Sequence, residues 1–256
     1  MPIRSVLINV TDLDRSIDFY SRFLDLRLQE RTDRAATLDA VTATLRLVLL
    51  PERDESTFVP DDLQAGFRHV GFKVADLAPR VAALKAAGVP FQLDPLHAEG
   101  DVDITFFLDP DGTVLELVEG ALQYHEVYDR AAVEADWALG DPDRPRFDHV
   151  AETVRDLAAT EAYFGGLGFV RMAGIHQPND PRGYEIDFLR DGDASLEIFT
   201  FAGAEKTRRA PQTAAPGFAA VEFAGAAAPA GAAAVGTIGG LDVVADPDGL
   251  VHAVTA

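Results

Sequence analysis

The sequence predicts an α+β chain built from four copies of one unit, each ordered strand, helix, three strands. Three observations carry this. An alternating strand that ends in Asp-Leu recurs at Ser5–Leu13, His69–Leu77 and His149–Leu157, and a worn fourth start lies at Ala220–Phe223. A helix-period stretch follows each of the first three. A Pro-Asp-Gly turn recurs as Asp109-Pro110-Asp111-Gly112 and Asp246-Pro247-Asp248-Gly249. Self-similarity of this kind marks a repeated architecture and is read before any single element.

Unit one covers Ile3 to Pro51. Val6, Ile8 and Val10 alternate with other residues as a half-buried strand requires. Asp12 is the expected N-cap, and Leu13, Ile17, Tyr20 and Leu24 form one apolar stripe on the helix that follows. Strands are expected at Arg27–Arg31, Thr37–Val41 and Thr44–Leu50.

Unit two, Phe67 to Glu119, repeats the order. Its helix runs from Leu77 to Ala87 and stops at Gly88, and its strands lie at Phe91–Leu93, Asp103–Leu108 and Thr113–Val118. In the turn at 109–112, Pro fixes φ and Gly permits φ above zero. Unit three, Phe147 to Phe201, has Asp156 as cap, a helix carrying Leu157, Ala162, Tyr163 and Phe164, and strands at Phe169–Ala173, Tyr184–Leu189 and Ser195–Phe201. Unit four, Phe218 to Ala256, has a weak helix region from Ala226 to Val235, interrupted by Pro229 and Gly231, where only a short helix is expected. An extra helix is expected at Val127–Leu139. The Pro-rich step Asp141–Pro145 then marks a boundary, giving domains 1–125 and 145–256 joined by a linker, 126–144.

Composition sets limits. Of 256 residues 48% are apolar, so a core is easily filled, and no run approaches the ~18 apolar residues of a membrane span. The start Met1-Pro2-Ile3-Arg4 leads directly into a strand, so no secretory signal and a cytoplasmic location are expected. With no cysteine, any metal must be held by His and carboxylate. The formal charge of −20 argues against a nucleic-acid partner and against anionic membranes, leaving a small molecule as the expected partner, with a monomer or homodimer both open.

The chain resembles the vicinal oxygen chelate superfamily, which includes glyoxalase I, extradiol dioxygenases and bleomycin-binding proteins. The four βαβββ units carry the resemblance. So do Asp12-Leu13, Phe19-Tyr20 and Leu24, together with Asp109–Gly112 and Leu115-Glu116-Leu117. It implies that paired modules curve into two open, mixed β-sheet barrels with helices outside. A metal would lie inside, on the first and last strands of a module.

Strand parity names candidates without the family. Val70, Phe72 and Val74 form the helix-side face, so His69, Gly71 and Lys73 face the cup. Glu116 faces the cup because Leu115 and Leu117 do not. The same reading places His149 and Glu197 in the cup of unit three. Glu152 falls on the helix side with no evident reason. Imidazole and carboxylate suit Zn, Ni, Fe, Co or Mn. Unit one offers Ser5 and Arg46 at the matching positions and unit four offers Ala220 and Ala253, with His252 pointing to the other face. A strand histidine is often a polar residue with one satisfied hydrogen bond; matched His/Glu pairs in two units argue for a metal.

Module pairing decides whether the pairs meet. Neighbour pairing gives each barrel one His and one Glu. Pairing two with three and one with four gathers His69, Glu116, His149 and Glu197, the two-His, two-Glu set that the resemblance to glyoxalase I implies. Two functions follow. In the first, a glyoxalase-like lyase or isomerase uses a divalent metal, and Glu116 or Glu197 moves a proton. In the second, a metal-free protein binds a drug-like or aromatic ligand, with Arg46 and Phe199 as candidate binding residues. The resemblance puts dioxygenase ligands on units three and four, so Ala220 and Ala253 disfavour extradiol cleavage. Glu222 either acts as a base or lines a wet cavity. His97, His125 and His176 are expected at the surface; Phe107, Phe188 and Phe201 are expected in core or cavity wall.

Overall fold

A computed structural model describes residues 3–177, 179–202 and 204–256. Module one contains β1 (Ile3–Val10), α1 (Leu13–Leu24), β2 (Arg27–Arg31), β3 (Ala35–Asp39) and β4 (Thr44–Leu49). Module two contains β5 (Gln64–Val74), α2 (Leu77–Ala86), β6 (Phe91–Ala98), β7 (Val102–Leu108) and β8 (Val114–Glu119). The connector carries β9 (Glu126–Val127) and α3 (Arg130–Ala138). Module three contains β10 (Arg146–Thr153), α4 (Leu157–Gly165), β11 (Val170–His176), β12 (Tyr184–Asp191) and β13 (Ala194–Phe201). After β14 (Thr207–Arg208), module four contains β15 (Gly217–Ala224), β16 (Ala233–Ile238), β17 (Leu241–Ala245) and β18 (Val251–Thr255).

The caps expected from the Asp-Leu steps form in two of the three modules. Asp12 accepts from the backbone N–H of Arg15, and Asp156 from that of Ala159, whereas Asp76 makes no side-chain cap and instead pairs with Arg80. Module four departs from the expectation: among the described residues no helix forms between β15 and β16. Pro229 lacks an N–H and Gly231 sits at φ +96°, so bends and a turn replace the helix.

Sheet order settles the pairing. One sheet runs β16-β17-β18-β15-β1-β4-β3-β2 and joins modules four and one. The other runs β6-β7-β8-β5-β10-β13-β12-β11-β9 and joins modules two and three. Both are mixed: the seams β1·β15 and β5·β10 are antiparallel, and each flanking partner of a seam strand is parallel to it. The division into 1–125 and 145–256 is therefore corrected, since each sheet takes one module from either half. The long connector does not separate two units. It carries α3 and β9 onto the edge of the second sheet, where β9 pairs with β11.

Modules adjacent in sequence still touch, but through helices and turns. The helix-side faces of both sheets and the apolar faces of α1, α2 and α4 form one core, with Tyr20, Phe72, Phe107, Phe147, Phe164 and Phe223 fully buried. Phe67 and Phe218 stack between the two sheets at 3.7 Å. Tyr20 donates to Asp109 at 2.7 Å, and Thr11 and Arg15 bind Asp111. Related contacts join modules three and four, where Arg155 pairs with Asp248 at 2.5 Å and buried Glu152 faces Asp246. This accounts for Glu152: plain alternation along β10 puts it with Val150 and Val154 on the helix side, where it meets Asp246 in the layer between the sheets. Among the described residues no helix is long and apolar enough to cross a membrane.

Candidate metal centre

The order β8-β5-β10-β13 puts four cup-facing side chains on four adjacent strands. Val70, Phe72, Leu115, Leu117, Val150 and Leu196 enter the core, so His69, Glu116, His149 and Glu197 must point the other way. All four are buried.

Their ligand atoms converge. His69 Nε2 lies 3.1 Å from His149 Nε2 and 3.1 Å from Glu197 Oε2. Glu116 Oε2 lies 3.2 Å from His69 Nε2 and 3.0 Å from His149 Nε2, and Glu197 Oε2 is 3.2 Å from His149 Nε2. Ligands at about 2.0–2.1 Å from one ion stand roughly 3.0 Å apart at right angles and roughly 3.3 Å apart in a tetrahedron. The observed edges match that range. Among the described residues this is the one group of His, Cys, Asp or Glu side chains so closely gathered.

The chemistry of the cluster also fits a cation. Glu116 Oε2 sits at ion-pair distance from both imidazoles yet accepts no hydrogen bond. Burial alone would depress His149, but Glu197, Asp148 and Glu116 outweigh it and hold the imidazole well above its ordinary value. Burial would raise Glu197, and His149 and His69 outweigh it and hold the carboxyl below the usual range. Both directions say that positive charge is favoured at the centre. Two imidazoles and two carboxylates suit a borderline divalent metal.

Two supporting features were not singled out from sequence. Asp148 occupies a register shift between Phe147 and His149, and its Oδ2 lies 3.0 Å from His149 Nδ1. A proton shared there leaves Nε2 free to face the cluster. Gly71 stands opposite His149 in the seam, and a Cβ at position 71 would fall 2.1 to 2.5 Å from imidazole atoms. The ring therefore lies directly over a bare Cα. Parity placed Gly71 in the cup; nothing in the sequence said what would rest on it.

A cavity of about 620 Å³ opens onto the cluster. Phe106 and Phe199 lie edge-on to His69, at 4.9 and 5.9 Å, and Ile104, Ile175 and Ile186 add apolar wall. Phe199 stacks on Tyr184 and carries the Arg68 guanidinium at 4.1 Å from its ring.

The sequence-derived candidates divide accordingly. The four ligands and Phe199 come together. Arg46 does not: it lies in the other sheet and donates to the Gly239 carbonyl at 2.6 Å. Lys73 turns aside to the Gly120 carbonyl. Glu222 is held by Ser5 at 2.6 Å and Thr255 at 2.8 Å, so it has no free role. His252 is buried on the helix side against the Tyr163 hydroxyl, as its parity required, and burial lowers its pKa to about 4. His97, His125 and His176 lie outside the cluster, His97 and His176 each within reach of carboxylates on both ring nitrogens.

The glyoxalase/bleomycin resistance protein/dioxygenase superfamily model matches residues 3–117. A lactoylglutathione lyase of Pseudomonas aeruginosa is 31% identical over 144 residues, covering 45% of this chain and 81% of that protein. A metallothiol transferase, FosB, of Bacillus licheniformis is 28% identical over 130 residues, covering 48% of this chain and 81% of that one. The crystal structure of glyoxalase I from Zea mays superposes with a TM-score of 0.67 over 99% of this chain and 91% of that chain, at 19% identity, a likeness of fold.

Proposed function

The chain belongs to the glyoxalase/bleomycin resistance protein/dioxygenase superfamily, and from that premise we propose that it is a divalent-metal-dependent enzyme of the glyoxalase type. Its substrate in this reading is a small molecule with two adjacent oxygens, and its reaction an isomerisation or lyase-type step. The convergence of His69, Glu116, His149 and Glu197 carries the reading.

His69, His149 and the two glutamates would hold the ion, which when bound supplies Lewis-acid polarisation of a carbonyl. The remaining work falls to the protein. Glu116 Oε2 and Glu197 Oε2 stand equally near the two imidazoles, but only Glu197 hydrogen-bonds there, to His69 at 3.1 Å. Glu116 is therefore assigned the proton transfer: it takes the proton from the hydroxyl-bearing carbon beside the carbonyl and returns it to the carbonyl carbon, while the hydroxyl proton passes to the former carbonyl oxygen, so the product is an isomer. Phe106 and Phe199 keep water from the reacting face and orient an apolar substituent.

Metal analysis of protein purified without chelator tests this. About one equivalent of transition metal is expected, lost in the His69→Ala/His149→Ala double variant. Glu116→Gln is expected to retain most of the metal and lose turnover. Protein free of transition metal would overturn the enzyme reading and leave the metal-free binder.

A further inference from the structure

The same cavity also narrows the substrate class, an inference that rests on the metal-enzyme reading above. Beyond the cluster, its charged lining is mostly negative. Asp61, Asp62, Glu99, Asp148 and Asp180 border it, and Arg68 is the one arginine or lysine among the described lining residues.

Arg68 is already committed. Its Nη2 donates to Asp62 Oδ1 at 2.8 Å, and its Nη1 reaches the Asp62 carbonyl and the Thr153 hydroxyl. Its remaining Nε–H is buried without a partner and has no access to solvent. The face of the guanidinium lies on Phe199. Arg182, behind this pair, is shared by Asp62 and Asp180. A ligand carboxylate would therefore displace Asp62 to reach an arginine, or Asp101 and Asp103 to reach His97, and would meet the other carboxylates on the way in.

The exposed rim carries large apolar side chains beside Asp61, Gln92, His97 and Glu99. Val59, Leu93 and Leu96 are among the few large apolar side chains that the protein leaves in solvent, and all three line this one cavity. They stand on β6 and on the segment facing it, joined by the contact of Gln92 with the Pro60 carbonyl. Apolar surface gathered on one side of the entrance suits an apolar substituent.

We infer that the pocket takes an uncharged α-hydroxycarbonyl compound with an apolar aryl or alkyl substituent, in preference to a thiol-tripeptide adduct that carries free carboxylates. The two adjacent oxygens belong at the His/Glu cluster, and the substituent runs between Phe106 and Phe199 toward Leu93 and Leu96.

The test holds the reacting centre constant and varies the thiol, from small and neutral to a charged tripeptide, and a carboxylate variant isolates the part played by charge. Phenylglyoxal forms a hemithioacetal with 2-mercaptoethanol, which is neutral, and with glutathione, which is anionic. The full chain loaded with zinc or nickel should show a kcat/KM for the neutral adduct about tenfold or more above that for the glutathione adduct. Asp61→Asn/Glu99→Gln should shift the ratio toward the glutathione adduct. A second readout needs no turnover: 2-hydroxyacetophenone should raise the melting temperature more than S-benzylglutathione at equal concentration. Preference for the glutathione adduct, or equal or better stabilisation by S-benzylglutathione, would overturn the inference. Failure of both adducts to turn over while 2-hydroxyacetophenone still binds selectively would instead count against the catalytic reading alone.

Discussion

Replacing Gly71 by Ala adds one methyl group at the point where it does most harm to the metal cluster. The backbone permits the change, because Gly71 does not occupy the left-handed region. The obstacle is the His149 imidazole, whose Cε1, Nε2 and Nδ1 would stand 2.1, 2.4 and 2.5 Å from the new Cβ. Carbon atoms at ordinary contact are about 3.5–4.0 Å apart, so the ring must retreat by roughly 1–1.5 Å. That displacement takes Nε2 away from edges that now measure 3.0 to 3.2 Å to its three partners. A ligand moved by that much leaves the range of a metal bond, and affinity should fall by roughly 100-fold. The overlap should also cost about 1–3 kcal/mol of stability without metal. Competition of the protein with a zinc chelator gives the first quantity, and denaturant melts in EDTA give the second. Removing the obstructed ring isolates the cause: Gly71→Ala/His149→Ala should recover the stability lost in Gly71→Ala, without recovering metal. Metal affinity within about twofold of the parent in Gly71→Ala would refute the placement of His149 over Gly71.

Three further outcomes follow from other contacts. Asp148→Ala removes the acceptor of His149 Nδ1–H, and zinc affinity should fall about 10- to 100-fold while the fold survives, checked by chelator competition beside circular dichroism. Tyr20→Phe removes the donor to buried Asp109 and should cost about 1–3 kcal/mol; since burial, the largest cause, raises the Asp109 pKa to about 6, the loss should grow in denaturant melts above that pH, where the carboxylate is charged. Glu152 is held well above its ordinary pKa by burial first and by Asp246 and Asp248 next, so the folded chain keeps a proton that the unfolded chain releases near pH 4.5. Stability contributed by that proton is complete below pH 4.5 and declines as pH rises toward the folded pKa. Glu152→Gln should match the parent near pH 4 and exceed it by about 1 kcal/mol or more at pH 8; a gap that does not widen with pH would sink the assignment.

The four-unit order was legible because strand and helix periods alternate cleanly, and because parity follows from the period of two. That was enough to send His69, Glu116, His149 and Glu197 to one face of their strands. Pairing was not legible. Connector length was a misleading guide, since a long connector can carry its own helix and edge strand, as α3 and β9 show. The register shift that aims Asp148 at His149 adds a residue to one strand, and no spacing in the sequence announces it; Glu152 followed its parity, but the Asp246 it faces lies in another module. Arg46 was placed on the correct strand, but a carbonyl from β-turn residue Gly239 captured it.

The half that lacks ligands still has a structural part in the site. Where the four charged groups meet in one cup, the other is filled by Leu7, Ala219, Ala220, Ile238, Val243, Val251 and Ala253. Small apolar side chains let that cup close on itself; two imidazoles and two carboxylates cannot, and the cavity persists above them. The closed half then braces the open one at two points. Tyr20 of α1 fixes Asp109, whose carboxylate also accepts from the backbone of Asp111 and Thr113, and this turn leads directly into β8 and Glu116. Asp248 of module four, in a turn whose backbone donates to Asp246, pairs at 2.5 Å with Arg155, two residues beyond the strand that carries His149. One ligand strand on either side of the seam is thus anchored by a residue from the ligand-free half. Modules one and four, which carry none of the four ligands, therefore form a scaffold whose turns and helices set the position of a site they do not contain.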